Sequence, residues 1–540
     1  MANDTLSERN GASAPKRLAV IDIGSNSIRL VVVEVCPGAD FRILDDERES
    51  TRLASSLSTT GKLSAKSIDA TLEALRQFQR IAEGFQVHRL KAIATCAVRE
   101  ANNGEHFCRR ALQEIGLKID VIDAVEEAQY AFLSVKKSFD ISDNNIAIAD
   151  IGGASTEIVL ASAGHVEEIY GTALGAVRLT ESYCSKPRLL DDGYKPLIKA
   201  IDRELKRCIG KLPFHPQVLY GSGGTLTNLA SMLRAARGDE SQPDWGYRIA
   251  RADVRHQLDL LQKMSLKQRR GVDGLNSDRA DIIVAGLAIV DRLMRYLKVN
   301  ILQVHNRGVR DGVIWKIIEH LQPQPSSAED QELAIERFIV SCGADLAHAR
   351  QVASIASMIF EQLYRKFDLR QRDGFLLQLA AMLQDVGYLI NYDRHHKHSY
   401  QLIINSQLPG IPRHELELVA NVARYHRGAK PKRKHSTFAK LDRDDQRRVR
   451  QLAGILRIAG GLDRSHTQQV ESVKLELVNG KAIFTVRSSG DAEVDIWAAQ
   501  RRTVLFERAF GMKVNIHYEN ETTDVRRVVP ARSHVSISRN

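Results

Sequence analysis

One short pattern is written twice in this chain and limits what it can fold into. The apolar run Leu18-Ala-Val-Ile21 leads into Asp22-Ile-Gly-Ser-Asn-Ser27, and Ile146-Ala-Ile-Ala149 leads into Asp150-Ile-Gly-Gly-Ala-Ser155. Each copy predicts a strand ending in a carboxylate, a sharp turn on glycine, and a return strand, over Ile28 to Val35 and over Ile158 to Ala161. Gly24, Gly152 and Gly153 let backbone N–H groups approach an anion, the serines add hydroxyl donors, and each Asp can orient a hydrated divalent cation. Two such loops facing each other would hold one phosphate chain from both sides.

Around the first loop the pattern predicts three strands, then helix, strand, helix, strand, helix. The helices fall near Ser64 to Glu83, Glu105 to Ile115 and Glu126 to Val135. From Ile146 the order starts again, with a third strand at His165 to Gly171, a helix near Leu197 to Cys208, the strand Val218 to Tyr220 and a helix opened by Gly221-Ser-Gly-Gly-Thr225. A repeat of this size predicts two similar α/β lobes with the ligand between them. No G-x-G-x-x-G follows the first strand, which argues against a dinucleotide fold.

The sequence has 540 residues, too many for one core. The expected domains are a disordered extension over 1–17, lobe I over 18–138, lobe II over 139–320, a helical domain over 330–468 and a small α+β module over 469–540. The Pro- and Ser-containing stretch after His320 marks the linker. The longest apolar run, Ile282 to Val290, is far short of the ~18 residues of a membrane helix, and Met1 to Arg17 has no apolar signal core. A cytoplasmic chain without a membrane partner is expected. Six scattered cysteines without a C-x-x-C pair predict neither a disulfide framework nor a zinc ribbon. The net charge of +11 suits a polyanionic partner.

Three more segments join the two loops. Thr95-Cys-Ala-Val-Arg99 follows a strand and offers an arginine fork. Glu126-Glu127 opens a helix at the cleft mouth, and Thr156-Glu157 extends the second loop. Together with Gly175-Ala-Val-Arg-Leu179 and Gly221-Ser-Gly-Gly-Thr225, these motifs resemble the exopolyphosphatase and guanosine pentaphosphate phosphohydrolase family over roughly Leu18 to Lys316. The resemblance implies actin-like (ribonuclease H-like) lobes, Mg²⁺, and a phosphoanhydride substrate in the cleft. It makes Glu127 the catalytic base, with Glu126 second, and Asp150 and Glu157 the other essential carboxylates and the metal ligands. Phosphate would be bound by Asp22, Gly24, Ser25, Asn26, Ser27, Arg29, Arg99, Gly152, Gly153, Ser155, Thr156, Gly223 and Gly224. Arg178 carries little weight.

The substrate expected first is inorganic polyphosphate, cut at its terminal phosphoryl group, and next guanosine pentaphosphate (pppGpp). Nucleic acid is not the expected polyanion. An actin-like ATPase or sugar kinase is a more distant reading, because it leaves Arg99 and Glu127 without a purpose. The basic helical half would hold a long substrate away from the cleft, and a homodimer extending a basic channel is the assembly this suggests. The helical domain resembles the HD-like domain of longer family members. His348, Gln384-Asp385, His396, His426 and Asp463 fall where HD-type ligands would lie, but Gln384 replaces the defining histidine, so no catalytic metal is expected there. His395-His-Lys-His398 and Lys430-Pro-Lys-Arg-Lys-His435 are candidate polyanion contacts.

Overall fold

The computed structural model describes residues 16–36, 40–142, 144–184, 194–238, 245–321, 328–406, 408 and 410–519. The chain parts into two compact units, Met1–Gln324 and Pro325–Asn540. Most of the expected N-terminal extension lies outside the described residues, and Arg17 already begins the first strand.

The first unit carries two sheets. One is built from β1 (Arg17–Ile23), β2 (Ile28–Cys36), β3 (Asp40–Glu49), β4 (Arg89–Ala94) and β5 (Ile119–Val121), in the order β3-β2-β1-β4-β5. The other comprises β6 (Asn145–Ile151), β7 (Thr156–Ser162), β8 (His165–Thr172), β9 (Val218–Ser222), β10 (Arg248–Ala250) and β11 (Ile301–Val304), in the order β10-β11-β9-β6-β7-β8. Without the edge strand β10, the second order repeats the first. In each sheet the two opening strands pair antiparallel around the glycine turn, and the first of them pairs parallel with the strand that follows a helix. These are duplicated actin-like lobes, as the resemblance implies.

The apolar runs before the two loops are continuous because both faces of each sheet are covered. Ala19, Ile21 and Ile23 face one core, and Leu18 and Val20 face another. That second core also takes Ile146 and Ile148 from β6, while Ala147, Ala149 and Ile151 face the outer core of lobe II. The shared layer is filled by helices Ala124–Ser138 and Val309–Leu321. They pack closely at Gly312, where a Cβ would lie 2.0 Å from the Tyr130 carbonyl oxygen. A common layer therefore fixes both glycine loops.

The second unit packs helices Ala328–Ser341, Leu346–Glu361, Gln371–Leu383, His395–Ile404, Arg413–Arg424 and Arg443–Ala459 with a sheet of β12 (Val470–Val478), β13 (Lys481–Ser488) and β14 (Lys513–Glu519). The strands were expected to form a module of their own. Instead Phe484 and Phe506 are buried in one core with Ile355 and Leu452 of the helices. The expected residues 520–540 of that module lie outside the described residues. Among the described residues, no helix is long and apolar enough to cross a membrane.

The second loop is backed by helix Ala176–Tyr183, whose Ala176 and Val177 N–H groups donate to the Gly152 and Gly153 carbonyls at 3.0 and 2.9 Å. A Cβ on Gly175 would sit 2.2 Å from the Gly153 carbonyl oxygen, a backbone atom that cannot rotate away. Gly175→Ala is expected to destabilise the first unit by roughly 1–3 kcal/mol through overpacking, read as a lower urea midpoint at unchanged slope.

Candidate active site

The two hairpins place their charges by strand register. Across β1 and β2, Asp22 faces Arg29, whereas at the matching position across β6 and β7, Asp150 faces Glu157. Gly24 N–H donates to the Ser27 carbonyl at 3.2 Å, and Gly152 N–H to the Ser155 carbonyl at 3.0 Å, which closes the turns. The loops then meet: a Cβ on Gly153 would lie 3.0 Å from Ser25 Cβ and 3.6 Å from Asn26 N. Gly223, at φ +102°, turns β9 into helix Gly224–Arg237, and Gly224 leaves room for the Arg279 guanidinium.

Between the loops lies a slot of about 140 Å³. It is lined by Asp22, Gly24, Ser25, Asn26, Ser27, Arg29, Glu127, Asp150, Gly152, Gly153, Ser155, Gly223 and Gly224, all expected from the sequence. Arg279, Asn306, Arg307 and Arg310 also line it and were not expected. Arg279 ends a short 3₁₀ turn, Ser277–Arg279, and the other three lie in Asn306-Arg-Gly-Val-Arg310 at the head of helix Val309–Leu321. The available signal was a glycine between two arginines just after a short strand.

Other expected residues are placed differently. Arg99 lies in the short helix Cys96–Glu100, which turns its Nη1 onto the Ile122 carbonyl at 2.7 Å and Glu127 Oε2 at 3.3 Å. In this arrangement it holds the candidate base and is not a wall of the slot. Thr156 is fully buried and donates its hydroxyl to the Leu174 carbonyl, which leaves it engaged away from the slot. Glu157 is buried behind the lining. Glu126 serves helix Ala124–Ser138 as a cap: Asp123 accepts from the Val125 and Glu126 N–H groups at 2.8 Å, and Glu126 reaches back to Asp123 N at 3.3 Å. Arg178 pairs with Glu100.

The slot has two electrostatic walls. Burial pushes the Asp22 carboxyl up to about 6, against the opposing pull of Arg310, and the nearby Asp150 adds to the rise. Glu157 is pushed to about 8 by burial, partly offset by a Ser155 hydrogen bond, with Asp150 adding to the rise. Burial also raises Asp150, and burial followed by Glu157 and Asp150 raises Glu127 well above the usual carboxylate range. Ser222 donates to Asp150 Oδ1 at 2.8 Å, but the buried Asp22 Oδ1 and Glu157 Oε1 have no hydrogen-bond partner. Uncompensated carboxylate oxygens of this kind suit a hydrated Mg²⁺, which takes one or two carboxylates and keeps several waters.

The opposite wall is cationic. Burial, then repulsion from neighbouring guanidiniums, lowers Arg29 to about 10 and Arg279 to about 9. Arg48 Nε and Nη2 and Arg279 Nε are buried without hydrogen-bond partners. Arg310 is tied to Asp46 at 2.6 Å and to the Leu30 carbonyl at 3.2 Å, which anchors helix Val309–Leu321 to lobe I.

The helical unit holds a separate polar cluster. His348 Nδ1 lies 2.8 Å from Asp463 Oδ2, and His348 Nε2 lies 3.4 Å from Asp385 Oδ2. The third histidine at Asp385 is His395, not the expected His396. His395 is fully buried in this cluster, which removes it from the expected polyanion contacts.

Arginine N–H groups without partners on one side and carboxylate oxygens without partners on the other define an enzyme that works on phosphoryl groups. Comparison with known proteins makes the class specific. The model of the Ppx/GppA phosphatase family matches residues 31–321, and that of Ppx/GppA phosphatase domain III matches residues 331–496. The crystal structure of the Aquifex aeolicus member of the Ppx/GppA protein family is 28% identical, with a TM-score of 0.50, over 57% of this chain and 100% of that one. An exopolyphosphatase from Cytophaga hutchinsonii is 22% identical, with a TM-score of 0.53, over 57% of this chain and 99% of its own, a likeness of fold. The chain belongs to the Ppx/GppA phosphatase family and is a hydrolase.

The raised carboxyls make stability depend on pH. Asp22 and Glu157 bind protons more tightly folded than unfolded, where they titrate near 3.8 and 4.5. Their contribution is complete below those values and is lost as pH rises through about 6 for Asp22 and about 8 for Glu157. In chelator, the melting temperature of the first unit is expected to fall across that window, and millimolar Mg²⁺ is expected to flatten the fall. A melting curve independent of pH in chelator would contradict the charge assignment.

Proposed function

We propose that this chain is an exopolyphosphatase that releases terminal orthophosphate from inorganic polyphosphate by attack of water. The observation that carries the reading is the composition of the slot. Among the described residues its polar lining is glycine turns, hydroxyls, amides, arginines and carboxylates, its apolar lining is small or aliphatic side chains such as Ala154, Ile151 and Ile282, and it has no aromatic ring on which a base could stack. Its volume of about 140 Å³ is similar to that of a cavity that takes a single benzene-sized ring. A terminal phosphoryl group fits such a space, and a nucleoside does not.

Phosphoryl transfer to water asks mainly for alignment and charge neutralisation. Glu127, made more basic by burial and held by Arg99, would as the carboxylate accept a hydrogen bond from the attacking water and then its proton. Loop amides other than those of Gly24 and Gly152, which close the turns, donate to the phosphoryl oxygens, and Arg279 and Arg29 bind the oxygens of the following groups. Asp150 and Glu157 would hold Mg²⁺ with Asp22 beside them, and Mg²⁺ held there would supply charge neutralisation on the transferring group.

The second reading is the same chemistry on the 5′ terminal phosphate of pppGpp, with the nucleoside left outside the slot. Phosphate release from long-chain polyphosphate, pppGpp and ATP decides between them. Polyphosphate is expected to give the highest kcat/KM; faster release from pppGpp would transfer the assignment, and release from ATP alone would reject both. Glu127→Gln is expected to lower kcat about 10²- to 10⁴-fold with little change in KM. Arg279→Gln is expected to raise KM for polyphosphate roughly 10- to 100-fold, the loss of a charged hydrogen bond.

A further inference from the structure

Asp385, His395 and His426 stand in the second unit, in residues that the phosphate slot does not use. His395 Nε2 is 3.1 Å from Asp385 Oδ1, His426 Nε2 is 3.6 Å from the same oxygen, and the two Nε2 atoms are 3.3 Å apart. Three donor atoms at about 2.1 Å from one ion, at tetrahedral to octahedral angles, lie about 3.0–3.4 Å from each other. The triangle is close to that size.

The other ring nitrogens fix which atoms point inward. His395 Nδ1 lies 3.1 Å from the Tyr392 carbonyl and His426 Nδ1 lies 2.8 Å from the Ala423 carbonyl. A carbonyl oxygen only accepts, so each Nδ1 carries the hydrogen. In the neutral rings both Nε2 atoms are then bare lone pairs, aimed at one another and at a carboxylate oxygen. Without a cation between them this arrangement is repulsive, and with one it is the usual support of a histidine ligand. Arg427 Nη1 is also 3.5 Å from His395 Nδ1, a longer contact than that to the carbonyl.

The carboxylate is held in the same manner. Asp385 Oδ2 faces His348 Nε2 at 3.4 Å, and His348 is held by Asp463 at 2.8 Å, so Asp385 Oδ1 is turned to the histidine pair. His395 is fully buried and His426 nearly so. Arg394, immediately before His395, takes the left-handed conformation at φ +61°, a strained start to helix His395–Ile404 that sets the ring in place.

We infer that Asp385 Oδ1, His395 Nε2 and His426 Nε2 bind one first-row transition-metal ion of the Mn²⁺ to Zn²⁺ class. Two imidazoles and one carboxylate select such an ion over Mg²⁺. Gln384, whose identity argued against a metal here, is not among the three ligands. The inference does not rest on the substrate proposed for the slot.

The test uses the full chain, stripped with chelator and dialysed against Co²⁺ in a millimolar excess of Mg²⁺, which occupies the oxygen site of the first unit. Wild type is expected to retain one Co²⁺ per chain with visible d–d absorption. His395→Gln and His426→Gln are expected to bind it at least tenfold more weakly while keeping Mg²⁺-dependent phosphate release within about twofold. Binding unchanged in both variants, or a wild type that stays metal-free, would overturn the inference. Should the variants fail to fold, X-ray absorption of the Zn²⁺-loaded wild type decides. Two imidazole nitrogens at about 2.0–2.1 Å support the site, and an all-oxygen shell rejects it.

Discussion

The organisation of the first unit depends on how it tolerates Asp150 facing Glu157 across two antiparallel strands. Like charges directly opposite each other destabilise a sheet, and these two are buried. The corresponding pair in the other lobe, Asp22 and Arg29, is of opposite sign. Duplication therefore supplied two equal frames, and one position in each frame made them unequal. The second carboxyl of one hairpin and the arginines gathered over the other give the slot a carboxylate side and a guanidinium side. The shared apolar layer keeps the two frames in place, so neither charge group can relax into solvent.

Much of this was legible in the residues. The strand, carboxylate, glycine sequence has a physical reading at each position, and its recurrence from Ile146 fixed the two-lobe plan before any contact was known. Residues on the loops themselves, such as Ser25 and Gly153, are held by local turn geometry and arrive where the pattern puts them. Arg99, Thr156 and Glu126 show where pattern ends. Their backbone positions were readable, but the direction of each side chain was decided by a partner far along the chain or by a cap: Arg99 by the Ile122 carbonyl and Glu127, Thr156 by Leu174, Glu126 by Asp123.

Arg279, Arg307, Arg310 and Arg48 were missed for a related reason. No repeat marks them, and an arginine in sequence reads as a solvated charge until a fold buries it. Arg279 and Arg310 are buried and Arg48 and Arg307 partly so, from β3, a short 3₁₀ turn and the head of a helix, three places that converge only through tertiary packing. In the second unit the same limit applied to the histidines. Consecutive His395 and His396 are about 100° apart on a helix, so sequence could not say which would join Asp385, whereas His426 and Asp463 lie where the HD-type resemblance implied.

The cap at Asp123 has a consequence for the chemistry it never touches. Glu126 and Glu127 are chemically identical neighbours with different duties, and only their angular separation around the helix assigns them. Asp123 sets where that count begins. An exposed aspartate outside the slot thus acts as a register lock: start the helix one residue later, and Glu127 would take the place that ties the helix end while Ala128 would take the place of the carboxylate that lines the slot.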